Sequence, residues 1–317
     1  MRVLITGITG FAGGHLAEHL LAEPGVELFG LSRSGEWPRE LDFLAGRVVL
    51  RRCDLEDGAA VEALLAEVQP QVVYHLAGYA HAGRSFREAE AAWAGNLTAT
   101  RRLYDAIARW GGQPRIVHVG SGLVYGDGEG PAQPQDERCP LRPASPYAAS
   151  KAAADLAAYQ YTRAPGLDIV RVRPFNHCGP RQSPEYAVAH FAQQIAAIER
   201  GRRPPLLETG DLSPRRDLTD VRDVVRAYRL LAEHGRTGEV YNVGTGRTWS
   251  MREVLDCLLA LAKVAVEVRP RPDLARAAET HTAWADPSQL VRATGWSPAW
   301  TLEQSLADIL AYWRQRS

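Results

Sequence analysis

An α/β fold built on a doubly wound parallel sheet, with a smaller region interleaved behind it, is predicted by three observations. Short β-branched and aliphatic runs alternate with amphipathic stretches up to Pro174. A glycine-rich turn joins the first apolar run to the first amphipathic stretch, and beyond Pro174 the pattern changes. Strand–helix alternation with apolar strands is the pattern of a parallel sheet covered on both faces, and right-handed crossovers wind it in two directions.

In order, Val3–Ile5 is expected as a strand and Ala12–Ala22 as a helix with Leu16, Leu20 and Leu21 on one side. Val26–Leu31 and Val48–Leu50 follow as strands, with Ala59–Val68 as a helix through Val61, Leu64, Leu65 and Val68. Val72–Leu76 is a strand, Glu88–Trp110 one long helix, Ile116–Gly120 a strand, Tyr147–Arg163 a helix and Ile169–Arg173 a strand. All of these strands are read as fully apolar. After Pro174, Ala187–Arg200 and Asp220–Ala232 are helical, and Arg202–Pro214 is rich in Pro and Gly. Val240–Val243 is a strand expected to rejoin the sheet. Ser250 with Glu253 makes a capping box for a helix to about Leu261. Val264, Val266 and Val268 alternate as in a half-buried strand, and Thr301 with Gln304 caps a final helix.

The 317 residues suffice for one large or two intimately packed domains. Lys plus Arg balances Asp plus Glu at 37 each, which argues against nucleic-acid or polybasic membrane binding. Cys53, Cys139, Cys178 and Cys257 form no CxxC clip, and a reducing cytoplasm suits them. No apolar run approaches the roughly 20 residues of a membrane span.

The turn Gly7-Ile8-Thr9-Gly10-Phe11-Ala12-Gly13 carries the first chemistry. Gly7 permits the sharp bend, Gly10 leaves room for a pyrophosphate, and Gly13 lets helix and sheet approach. Thr9, Phe11 and Ala12 complete the set of cofactor contacts. The alternative is a glycine-rich turn without a ligand. The arrangement makes the sheet Rossmann-like, with 1–174 as a dinucleotide-binding domain to which 220–246 returns, and 175–317 as a substrate domain. The second strand ends Ser32-Arg33 without the carboxylate that an NAD site places there for the ribose 2′-OH. Arginine's fork suits a 2′-phosphate, so the expected cofactor is NADP, with NAD possible; otherwise Arg33 is a solvated surface residue. Asp54-Leu55 would meet the adenine, and Leu76-Ala77-Gly78 would let backbone touch the cofactor.

Tyr147 and Lys151 stand four residues apart on a helix face. The ammonium is expected to draw the phenol down from about 10 toward working pH and to bind the nicotinamide ribose. Ser121 ends the fifth strand, where reactive groups of doubly wound sheets gather. Ser121, Tyr147 and Lys151 are therefore the expected catalytic residues for a carbonyl–alcohol interconversion. His81, Ser121, Asn176 and Arg216 are expected to bind substrate, Arg216 as a diphosphate clamp. Arg222 and Asp223 are read as structural, at a helix start. His177 has no partner at ligand spacing, so no metal is expected.

The glycine turn, Arg173-Pro174-Phe175-Asn176-His177, the stretch from Arg216 to Tyr228, Glu239-Val240-Tyr241-Asn242-Val243 and Thr294-Gly295-Trp296 together resemble the extended short-chain dehydrogenase/reductase family of nucleotide-sugar enzymes. The likeness runs from Arg2 to about Leu310. Within it, the chain is most similar to reductases of GDP-4-keto-6-deoxy-hexoses and their sister dehydratases. The resemblance implies a GDP-linked sugar substrate, and it puts Arg276 and Glu279 at its guanosine end. It also implies a homodimer through a four-helix bundle of Glu88–Trp110 and Tyr147–Arg163. Dehydratases of the family carry a glutamate two residues after the strand-end hydroxyl, and an epimerising branch carries a cysteine. Here that residue is Leu123, and an isobutyl group transfers no proton. What remains is NADPH-dependent reduction of a C4 ketone, giving GDP-D-rhamnose. The alternatives are a GDP-sugar 4-epimerase, a 4,6-dehydratase with its acid replaced, or a non-catalytic NADP sensor.

Overall fold

Seven parallel strands set the frame. The computed structural model describes residues 1–126, 133–271 and 284–316. In chain order they give β1 (Arg2–Thr6), α1 (Phe11–Leu20), β2 (Glu27–Ser32), β3 (Val49–Arg52), α2 (Gly58–Val68), β4 (Val72–His75), α3 (Ala89–Trp93), α4 (Ala99–Trp110), β5 (Arg115–Val119), α5 (Pro146–Arg163) and β6 (Ile169–Pro174). Then come β7 (His177–Cys178), α6 (Ala187–Glu199), β8 (Leu206–Thr209), β9 (Arg215–Asp217), β10 (Thr219–Asp220), α7 (Val221–His234) and β11 (Val240–Val243). The chain closes with β12 (Thr248–Ser250), α8 (Met251–Ala260), β13 (Glu267–Pro270), α9 (Ser288–Thr294) and α10 (Leu302–Arg316).

The large sheet runs β11-β6-β5-β4-β1-β2-β3. Strand order reverses between β1 and β4, so a crevice opens at their carboxyl ends. Side chains alternate between faces. Val3 and Ile5 of β1 join Leu16 and Leu20 of α1 and Val224, Tyr228 and Leu231 of α7 in one core. Leu4 joins Leu64 and Leu65 of α2, Leu103 and Ile107 of α4 and Ala158 of α5 on the other face. Each fully buried aliphatic or aromatic side chain contributes about 1.5–3 kcal/mol. A third core gathers α6, α8 and α10 around Leu207 of β8. Among the described residues no helix is long and apolar enough to cross a membrane, and the four cysteines are free.

Three features depart from expectation. β6 is not fully apolar: Val170 and Val172 face one core, while Arg171 and Arg173 are buried on the other side. Both arginines bond the Asp155 carboxylate of α5, Arg171 Nη1 at 2.6 Å and Arg173 Nε and Nη2 at 3.0 and 2.9 Å. The expected helix Glu88–Trp110 is broken by a π-helical turn, Ala94–Thr98. Gly95 packs there so closely on Tyr79 that an added Cβ would lie 3.1 Å from the Tyr79 nitrogen. Lastly, the strand sought at Val264–Val268 is Glu267–Pro270, which pairs in parallel with β8, inside the stretch read only as rich in Pro and Gly. Alternation over a few residues carries no register, and the partner strand supplies it.

The helix starts follow their local chemistry. Ser145 Oγ caps α5 by accepting the Ala148 N–H at 3.1 Å, with Pro146 at the first helical position. Ser250 and Glu253 form the capping box of α8. Thr301 and Gln304 exchange the same pair of bonds ahead of α10. Asp155→Asn would leave two buried guanidiniums without their counter-charge, and about 3–5 kcal/mol of stability should be lost, read as the midpoint shift in urea unfolding.

Candidate active site

The crevice is lined first by the glycine turn. Gly7 adopts φ 72°, which a side chain would strain, and a Cβ on it would stand 2.7 Å from the Ala77 nitrogen. A Cβ on Gly13 would stand 2.2 Å from the Gly7 carbonyl oxygen. Gly10 precedes α1 without a side-chain cap, so the backbone N–H groups of the first helical turn are left to an anion. The ring of Phe11 stacks on His177 at 5.9 Å, while Thr9 and Ala12 are half-buried in the same turn. A backbone cradle that any Cβ would fill fits a dinucleotide pyrophosphate.

At the far end of the turn, Ser32 is buried, its Oγ accepting the Gly35 N–H at 3.0 Å, and Arg33 is exposed beside it. Asp54 is exposed and accepts the Glu56 N–H at 3.0 Å, whereas the Leu55 side chain is buried in the core. Leu76 and Ala77 are half-buried and Gly78 is exposed.

Ser121, Tyr147 and Lys151 come together across the carboxyl end of β5. Ser121 Oγ accepts the Leu123 N–H at 3.1 Å, which leaves its proton for the Tyr147 oxygen, with which it is hydrogen-bonded. Lys151 is buried and its Nζ donates to the Val119 carbonyl at 3.1 Å. The expected acidification of the phenol is not what this geometry gives. Burial raises the Tyr147 hydroxyl to about 12, against the lowering pull of the Ser121 hydrogen bond. Burial also lowers the Lys151 ammonium to about 8. The physical reason is desolvation, which penalises both charged forms. Tyr147 is therefore a phenol at neutral pH and Lys151 still mainly an ammonium.

The remaining positions are spread around this centre. His81 Nδ1 lies 3.2 Å from Glu185 Oε2, and its ring stacks on Tyr186 at 6.4 Å. Asn176 is half-buried between β6 and β7, and His177 is half-buried in β7. Arg216 is half-buried in β9, next to Asp217, whose buried carboxylate accepts the N–H groups of Thr245, Gly246 and Ala285. Arg222 and Asp223 brace the start of α7: Arg222 pairs with Asp220 and Asp308, and Asp223 accepts the Ala299 and Trp300 N–H groups. Arg276 and Glu279 lie outside the described residues. Leu123 is 39 % exposed beside Ser121.

Sequence reasoning missed Asn96. It sits in the π-helical turn, buried, with Nδ2 donating to Ser150 Oγ at 3.0 Å between the two catalytic positions of α5. Its Oδ1 has no partner among the described residues and lies 2.5 Å from where a Cβ on Gly78 would stand. π-turns often mark functional sites. A Gly-Asn pair in a helix interior, where both are poor formers, was the available signal.

Comparison with known proteins follows the same outline. The family model described as GDP-mannose 4,6 dehydratase matches residues 4–309. The chain is 34% identical over 315 residues to GDP-6-deoxy-D-mannose reductase of Pseudomonas aeruginosa, covering 99% of this chain and 98% of the relative. Among solved structures, RMD from Pseudomonas aeruginosa complexed with NADPH superposes with a TM-score of 0.88 at 33% identity, covering 100% of this chain and 99% of the other. The UDP-glucose 4-epimerase of Thermus thermophilus in complex with NAD superposes with a TM-score of 0.88 at 31% identity, covering 100% of both chains.

Because Lys151 has a folded pKa near 8 against 10.5 for the free side chain, the unfolded chain binds more protons between those values, and stability rises with pH there. Wild type should therefore gain roughly 2–3 kcal/mol relative to Lys151→Met between pH 8 and pH 10, measured by urea unfolding at both values. A parallel pair of pH curves would contradict the buried ammonium.

Proposed function

The chain belongs to the GDP-mannose 4,6 dehydratase family, and we propose that it reduces the C4 ketone of a GDP-4-keto-6-deoxy-hexose with NADPH, giving GDP-D-rhamnose. It is an enzyme of the extended short-chain dehydrogenase/reductase type. The observation that carries the reductase reading is Leu123, an apolar side chain 39 % exposed two residues after Ser121, at the position where the family resemblance puts the dehydratase glutamate. Without a proton-transferring group there, the Ser121–Tyr147–Lys151 cluster supports chemistry at one carbon.

NADPH, when bound, supplies the hydride to C4. The pyrophosphate would rest on Gly7, Thr9, Gly10, Phe11, Ala12 and Gly13, and the 2′-phosphate on Ser32 and Arg33. Asp54 and the backbone of Leu55 would meet the adenine, Leu76, Ala77 and Gly78 would floor the crevice, and Tyr147 and Lys151 would hold the nicotinamide ribose. Tyr147, kept protonated by burial (about 12), gives its proton to the oxygen as the ketone becomes an alcohol. With substrate bound, the Ser121 hydroxyl would turn its one proton from the Tyr147 oxygen to that oxygen, and the Lys151 ammonium would stabilise the phenolate until it regains a proton from solvent. His81, Asn176 and Arg216 would hold the sugar diphosphate, and Arg276 and Glu279 the guanosine end.

We also take 1–174 with 220–246 as the cofactor-binding part and 175–317 as the substrate part. A homodimer through a four-helix bundle is supported by Leu156 and Tyr159 of α5, apolar and 57 % and 45 % exposed. A cytoplasmic setting is supported by the free thiols.

The test is purified protein with GDP-4-keto-6-deoxy-mannose and NADPH. Loss of absorbance at the reduced-nicotinamide wavelength is expected. Conversion of a GDP-sugar without net redox would instead mean an epimerase or dehydratase, and tight NADPH binding without any reaction a sensor. In the same assay Tyr147→Phe should lower kcat by about 10²–10⁴ while NADPH binding stays within about twofold. Arg33→Ala should weaken NADPH by roughly tenfold or more, the worth of a charged hydrogen bond, and leave NADH affinity unmoved in a binding titration.

A further inference from the structure

His75 ends β4 directly under the crevice and is 2 % exposed. Both ring nitrogens are engaged: Nδ1 is 2.8 Å from Thr6 Oγ1 at the end of β1, and Nε2 is 2.9 Å from Thr100 Oγ1 in α4. Each threonine makes a second bond that sets direction. Thr6 Oγ1 accepts the Ala77 N–H at 3.1 Å, and Thr100 Oγ1 donates to the Asn96 carbonyl at 2.6 Å. A hydroxyl has one proton. Thr100 gives its proton to Asn96, so it accepts from His75, and Nε2 carries the ring hydrogen. Nδ1 is then an acceptor for the Thr6 hydroxyl. One neutral tautomer satisfies every partner. Burial, joined by the Lys151 ammonium, holds the imidazole well below its ordinary pKa, which keeps that neutral form.

The bonds run on from there. Asn96 Nδ2 donates to Ser150 Oγ, and Ser150 Oγ donates to the Tyr147 carbonyl at 2.8 Å. Lys151 Nζ and the Asn96 Oδ1, which has no partner among the described residues, both border Gly78, 3.5 and 2.5 Å from the point an added Cβ would occupy. The cofactor floor, the π-turn and the first turn of α5 are thus tied through one imidazole.

We propose that His75 is a positioning residue with two separable arms, one holding the Ala77–Gly78 backbone through Thr6 and one holding Asn96, and with it the Tyr147 end of α5, through Thr100. The inference rests on the reductase reading for its catalytic arm and on cofactor binding alone for the other.

Two near-isosteric variants divide the arms. His75→Gln keeps a polar group near the Nε2 position and loses the Thr6 bond, while His75→Asn keeps one near Nδ1 and loses the Thr100 bond. A hydrogen bond is worth about a factor of ten. His75→Gln should therefore weaken NADPH binding about tenfold with kcat within about twofold. His75→Asn should lower kcat about tenfold with NADPH affinity within about twofold, and His75→Phe should show both losses. Thr6→Val and Thr100→Val should repeat the split, and they serve if the histidine variants do not fold. Parallel losses in affinity and kcat across all variants, or no loss beyond a lowered melting temperature, would overturn the proposal. NADPH affinity is read by fluorescence without sugar. A wild type that binds NADPH but does not turn over the sugar sinks the reductase reading, while the ranking of affinities still judges His75.

Discussion

Asp155 has no access to water, yet it holds the catalytic helix to the sheet. Its two oxygens receive three hydrogen bonds from Arg171 and Arg173 of β6. A buried carboxylate is tolerated only with charge and hydrogen bonds to replace its solvent, so α5 can lie against β6 in one way. The network continues. Arg173 Nη1 donates to the Tyr125 hydroxyl at 2.9 Å, and that hydroxyl donates to Asn242 Oδ1 of β11 at 2.7 Å. Tyr125 closes the short turn that begins at Ser121. One set of buried charges therefore fixes both the helix bearing Tyr147 and Lys151 and the turn bearing Ser121, and it does so across strands distant in sequence.

Around the site, burial rather than charge pairing sets protonation. Tyr147 is pushed up and Lys151 down by desolvation, and the two buried histidines beneath them, His75 and His118, are both pushed toward the neutral ring. A crevice floor that disfavours charge keeps the proton on the phenol, where a reductase needs it, and keeps the imidazoles available as fixed hydrogen-bonding struts. The same low polarity strengthens each bond made there.

Much of the fold was legible beforehand because its signals are local. The glycine turn, the caps at Ser250 and Thr301, and the apolar runs of β1, β4 and β11 each report on a few neighbouring residues, and the elements they predict are present with bounds shifted by a residue or two. The misreadings were non-local. The strand Ile169–Arg173, read as fully apolar, buries Arg171 and Arg173 only because Asp155 is brought to them from α5. The π-turn in the helix read as continuous answers to the backbone of Tyr79, and the register of β13 is set by β8.

By itself the sequence determined the alternation of elements, the anion-ready turn at Gly7–Gly13, the absence of a carboxylate at the end of β2 and the leucine at position 123, since each is a matter of residue type at a fixed spacing. Only the tertiary structure decided that the phenol stays protonated, that Asn96 faces Gly78 and that His75 joins β1 to α4. These depend on which groups are removed from water together, and solvent exclusion is a property of the packed molecule, not of neighbours in the chain.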